Sequence, residues 1–156
     1  MERKGDHGRE FDVLQLIITS DIHEQMIQFL EAALPYESGG LLFGRRLKKE
    51  WIIEDFQPIA SDNPDVRNYN ASPRVLVPII MKAKVSGKEL LATVHSHPSC
   101  PAVPSRKDLK EAHGYRDLAH CIVSFAGMMP DVQFYRYEKV EHHVSFHPLT
   151  LKLTNW

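Results

Sequence analysis

An apolar run that ends in two histidines one residue apart, and is broken at once by proline, constrains this chain more than any other stretch. Leu90-Leu91-Ala92 leads into Thr93-Val94-His95-Ser96-His97-Pro98, and Pro104-Ser105-Arg106-Lys107-Asp108 follows. The run reads as a buried strand over 89–97. Alternate side chains of a strand share a face, so His95 and His97 point one way and Ser96 the other. Pro98 ends the strand. Ser105 has the character of a helix N-cap, and Asp108, one turn later, lies on the same side of the short helix expected from 105 to about 113. Two imidazoles from a strand end and a carboxylate from a helix start make a three-ligand zinc set. Three protein ligands leave a fourth position for water, the arrangement of catalytic rather than structural zinc. A zinc hydrolase is the expected chemistry.

The bland alternatives carry weight one motif at a time. Paired histidines on strands occur without metal, and Ser105-x-x-Asp108 taken alone is a capping box. Their conjunction across a proline-punctuated loop is what favours one Zn²⁺ per chain. Peptide hydrolysis also needs a carboxylate to move the water's proton and a donor for the oxyanion. With Asp108 assigned to the metal, Glu37, just before Gly39-Gly40 and an apolar strand, is the best-placed base, although a solvated loop carboxylate would look the same. Ser105 is the natural oxyanion donor, its hydroxyl being carried close to the metal by the helix start.

The remaining chain reads as an α+β domain. A first strand is expected over 11–19, then a helix from Ser20 to about Leu34 with Ile22, Met26, Phe29, Leu30 and Ala33 at helical spacing, stopped by Pro35. Gly39 and Gly40 permit positive φ or a close backbone approach as they enter the strand over 41–46. That strand pairs with 51–59 through a charged turn. Ser72-Pro73 opens a second helix, ended by Gly87, whose stripe of Val75, Leu76, Ile79, Ile80 and Ala83 reads as core. Strands over 120–125, 132–137 and 142–146 close the chain, giving a mostly antiparallel sheet flanked by helices. The expected organisation is a flexible N-terminal tail, residues 1–10, and one domain, residues 11–156.

Composition removes several function classes. A formal net charge of −1 offers no basic field for nucleic acid. No apolar run approaches the roughly 20 residues that cross a bilayer. Cys100 and Cys121 are too few for a disulfide framework and suit a reducing compartment, and residues 1–10 lack the apolar core of a secretory signal. The expected location is cytoplasmic. Cys100 is weighed as a redox or inhibitory ligand at the open metal position against an inert loop thiol, the favoured reading, Cys121 as core, and His113 as a residue behind the ligands or a helix C-terminal histidine. Asn68, Tyr69 and Asn70 are weighed as a border of the substrate groove against simple turn chemistry.

Glu37 ahead of Gly40-Leu41-Leu42, His95-Ser96-His97-Pro98, and Ser105-Arg106-Lys107-Asp108 together resemble the signature of the JAMM (MPN+) zinc metalloproteases, across roughly residues 12–138. The resemblance implies that His95, His97 and Asp108 bind zinc, that Glu37 is the general acid/base and that Ser105 supports the oxyanion. It implies a cytidine-deaminase-like β-sheet sandwiched by helices. The short loops around Asp108 resemble minimal prokaryotic-type members, whose expected partner is a ubiquitin-like or sulfur-carrier protein with a Gly-Gly tail, cleaved after the second glycine. An extended Gly-Gly tail lacks side chains, so a narrow groove can admit it and pair its backbone. The competing class is a catalytically inactive scaffold or protein-binding module of the same family, against which the intact ligand set argues. A nucleobase deaminase is excluded, because His-x-Glu with Pro-Cys-x-x-Cys is absent.

Overall fold

A computed structural model describes residues 15–111 and 117–155. The expected N-terminal tail, the first four residues of the expected first strand, and His113 lie outside the described residues. Among the described residues, seven strands and three helices follow in the order β1 (Gln15–Thr19), α1 (Ser20–Ala32), β2 (Gly39–Arg46), β3 (Glu50–Ile59), α2 (Pro73–Val85), β4 (Glu89–His97), α3 (Arg106–Lys110), β5 (Ala119–Ser124), β6 (Asp131–Val140) and β7 (His143–Thr154).

The strands form one closed barrel in the order β1-β3-β2-β4-β5-β6-β7. This corrects the expectation of a cytidine-deaminase-like sheet sandwiched by helices. The decisive strand is β7. Sequence reading ended it at Phe146, but it runs on to Thr154 and pairs with β1 in parallel, from Gln15↔Thr150 to Thr19↔Thr154. That pairing joins the two strands that would otherwise be sheet edges. The pairing is also mixed rather than mostly antiparallel, because β1–β3, β1–β7 and β4–β5 are parallel.

The helices line up with the sequence pattern more closely than the architecture does. Thr19 caps α1, its side chain accepting from the Ile22 N–H at 3.2 Å. Met26 and Leu30 bring α1 into the main core, with Leu16, Ile18, Leu42, Trp51, Ile53, Leu91, Val94, Val123 and Phe134. Leu76, Ile79, Ile80 and Ala83 of α2 pack on a separate cluster of Leu41, Phe43 and Ile59, while Val75 is exposed. No described helix is long and apolar enough to cross a membrane.

The site is positioned by β4. Its register with β2 shifts between Leu42 and Phe43, whose partners are Ala92 and Leu90, so Leu91 is the extra residue of a bulge. Beyond it the alternation is regular: Ala92 and Val94 join the main core, and Ser96 on the same face is fully buried. Thr93, His95 and His97 take the opposite face.

Candidate functional site

The C-terminal end of β4 and the first turn of α3 meet in a compact triangle. His95 Nε2 lies 3.2 Å from His97 Nε2 and 3.2 Å from Asp108 Oδ1, and His97 Nε2 lies 3.2 Å from Asp108 Oδ2. Among the described residues, this is the group whose donor atoms converge as a metal's ligands do. Tetrahedral zinc with ligands about 2.0–2.1 Å away separates neighbouring donors by about 3.3 Å. The 3.2 Å separation of the two imidazole nitrogens fits that spacing, and each nitrogen has one Asp108 oxygen at the same distance. The chemistry of the donors fits as well. The Pro101 carbonyl can only accept, so the 2.8 Å contact at His97 Nδ1 fixes the proton there and leaves Nε2 with its lone pair turned to the site.

The loop between the histidines and Asp108 is tied to the barrel at three successive carbonyls. Ser124 Oγ donates to Cys100 O at 2.5 Å, His97 Nδ1 to Pro101 O, and Tyr135 Oη to Ala102 O at 2.5 Å. Ala102 and Pro104 are buried beneath it. The loop then delivers α3 through a complete capping box, in which the Asp108 N–H donates to Ser105 Oγ at 3.0 Å and the Ser105 N–H to Asp108 Oδ2 at 2.9 Å. The bland reading of Ser105-x-x-Asp108 is thus realised, and Asp108 Oδ2 also faces His97. Capping and convergence on the histidines are done by one carboxylate.

The electrostatics suit a cation. Burial opposes charge on Asp108, but the adjacent His95 and His97 rings and the Ser105 amide, which donates to Oδ2, outweigh it and hold the carboxyl well below its usual range. Burial likewise lowers His97, yet its contacts with Asp108 and Pro101 raise it to a net upward shift.

A groove of ≈ 240 Å³ runs past the triangle, and Glu37, His95, Asp108 and Lys107 line it near the donors. Burial pushes the Glu37 carboxyl up, an effect opposed by His95 and His97 and reinforced by Asp108. All three candidate ligands thus act on Glu37 through space. Thr93, His120 and Tyr137 also line the groove. The His120 ring stacks on Tyr137 at 4.1 Å and 7°, with Nδ1 3.0 Å from Thr93 Oγ1. Tyr69 and Asn70 line the groove, and Arg67 joins them; Asn68 does not.

Two further residues named from the sequence are not among those lining the groove. Ser105 is exposed, caps α3 and does not line the groove. Cys100 is exposed and no cysteine joins the donor group, whereas Cys121 is core, its thiol pushed up by burial. Gly39 and Gly40 serve by close approach: neither has positive φ, and a Cβ on Gly39 would overlap the Val94 carbonyl oxygen and the Tyr69 ring. Sequence reasoning missed Ser96, Ser124 and Tyr135. A hydroxyl on the core-facing side of the histidine strand was a signal for the first. The other two become visible only when the barrel brings β5 and β6 beneath the loop.

Comparison with known proteins agrees with this geometry. Residues 19–138 match the family described as prokaryotic homologs of the JAB domain. The chain is 34% identical over 109 residues to a Thermus thermophilus protein named "Probable TtuB-protein conjugate cleaving protease", an alignment covering 69% of this chain and 67% of the relative. A solution structure of a Desulfitobacterium hafniense protein superposes with a TM-score of 0.79 at 25% identity, covering 90% of this chain and 94% of that one. With residues 19–138 matched by the family and a relative 34% identical over two thirds of both chains, this protein belongs to the JAMM family, among its prokaryotic JAB-domain homologs.

Proposed function

We propose that this chain is a zinc-dependent peptidase or isopeptidase that cleaves after the C-terminal Gly-Gly of a ubiquitin-like or sulfur-carrier protein. The observation that carries the reading is the 3.2 Å triangle of His95, His97 and Asp108 with Glu37 lining the same groove. The naming of the Thermus thermophilus relative as a conjugate-cleaving protease supports the substrate class.

His95 and His97 through Nε2, and Asp108 through its carboxylate, would hold the zinc. Bound there, zinc acts as a Lewis acid and lowers the pKa of a water toward neutrality. Glu37 takes a proton as the water oxygen bonds to the glycine carbonyl carbon, then gives that proton to the amine nitrogen as the C–N bond breaks. Its upward shift suits a group that must both accept and return a proton. The Ser105 hydroxyl, whose lone pair caps α3, keeps its own hydrogen free to donate to the oxyanion. The groove, with Tyr69 among its lining residues, would receive the tail as extended backbone, a mode that suits a segment without side chains.

The test pairs metal content with cleavage. Purified protein is expected to bind about one zinc per chain, a loading strongly reduced in Asp108→Ala. Zinc-loaded protein should release a C-terminal peptide from a sulfur-carrier-fold protein carrying it after Gly-Gly, with Glu37→Gln as the blank. Absence of zinc after reconstitution would sink the mechanism and leave a protein-binding module.

A further inference from the structure

We infer that Ser96 is a positioning residue that holds Glu37 at the groove through the neighbouring Ser38, an inference that rests on the peptidase reading. The β2–β4 ladder ends at the Gly39↔His95 pair. One residue further out, the Ser96 N–H donates to Ser38 O at 2.9 Å, but the Ser38 N–H turns to the Ser96 side chain, donating to Oγ at 3.0 Å. The hydroxyl thus takes the place of a main-chain acceptor, which lets the chain leave the sheet plane just where Glu37 must face the histidines. The Ser38 hydroxyl has no partner, so the tie involves its backbone alone. On the other side, the Glu37 N–H is fastened to Asp65 O at 2.8 Å. Glu37 is therefore pinned by the amides on both sides of its Cα.

Burial makes the arrangement selective for a small hydroxyl residue. Ser96 is 0% exposed and Ser38 6%, so no water replaces a lost acceptor cheaply. Alanine at 96 leaves the Ser38 amide without its acceptor while His95 and His97 keep their places on β4. A displacement near 1 Å of a reacting group costs up to about 10²-fold in rate.

The experiment compares zinc-loaded full-length wild type, Ser96→Ala and Ser96→Thr on the same Gly-Gly-peptide carrier. Ser96→Ala should bind one zinc per chain and keep KM within about twofold while kcat falls ~10–10²-fold. Amide hydrogen exchange, read without substrate, should show loss of protection at Ser38. Ser96→Thr, which retains the hydroxyl, should restore both protection and kcat. Unchanged Ser38 protection or an unchanged kcat in Ser96→Ala overturns the inference, as does restored protection in Ser96→Thr without return of rate. A wild type that binds zinc but leaves the carrier intact refutes the peptidase reading instead, which separates the two failures.

Discussion

Gly39→Ala should damage stability and turnover together, because Gly39 is the residue opposite His95 in the β2–β4 ladder and lies two residues after Glu37. An alanine Cβ there would overlap the Val94 carbonyl oxygen and stand 2.8 Å from Tyr69 Cε2, where ordinary contact begins near 3.4 Å. The carbonyl is backbone in a buried strand and cannot swing aside. Relief requires β2 and β4 to part, or the Tyr69 ring to move and stretch its 2.8 Å hydrogen bond to Ile59 O. Overpacking of this kind costs about 1–3 kcal/mol, and the lost hydrogen bond about 1 more. A loss of roughly 2–4 kcal/mol is a large share of the 5–15 kcal/mol typical of a domain. Urea titration of the zinc-loaded protein would read it as a lower midpoint at constant slope. Gly127→Ala is the control, its nearest contact being 3.9 Å from Met129 O, and should stay within about 0.5 kcal/mol of wild type. Parting the strands also shifts His95 against Glu37, so kcat should fall by ~10²-fold. Gly39→Ala with wild-type stability and turnover would refute the close-approach argument.

Glu37→Gln should keep zinc content unchanged and abolish hydrolysis; turnover near wild type would remove Glu37 from the acid/base role. Ser105→Ala should slow turnover ~10²–10³-fold if its hydroxyl serves the oxyanion, and lower stability by about 1 kcal/mol through loss of the α3 cap. A stability loss with normal rate would leave Ser105 as a cap alone. Alkylation of the folded protein near pH 8 should label exposed Cys100 and spare Cys121, whose thiol burial shields and keeps protonated. Equal labelling of both would contradict the packing of β5.

Local spacing by itself determined the reactive parts of this protein. The period of two in His95-Ser96-His97 puts both imidazoles on one face, and Ser105-x-x-Asp108 builds its own capping box, whatever the surrounding fold. The stripe of α2 and the hairpin between β2 and β3 were legible for the same reason, each being a relation among near neighbours. Tertiary structure alone decided the closure of the barrel, since the parallel pairing of Gln15–Thr19 with Thr150–Thr154 joins segments more than 130 residues apart and leaves no local trace. It also decided which hydroxyls hold the site. Ser124 and Tyr135 reach the proline loop only because β5 and β6 lie beneath it, and Ser96 reaches Ser38 only because β2 and β4 are neighbours in the barrel. Motif chemistry depends on spacing along the chain, whereas these supports depend on which strands become neighbours in space.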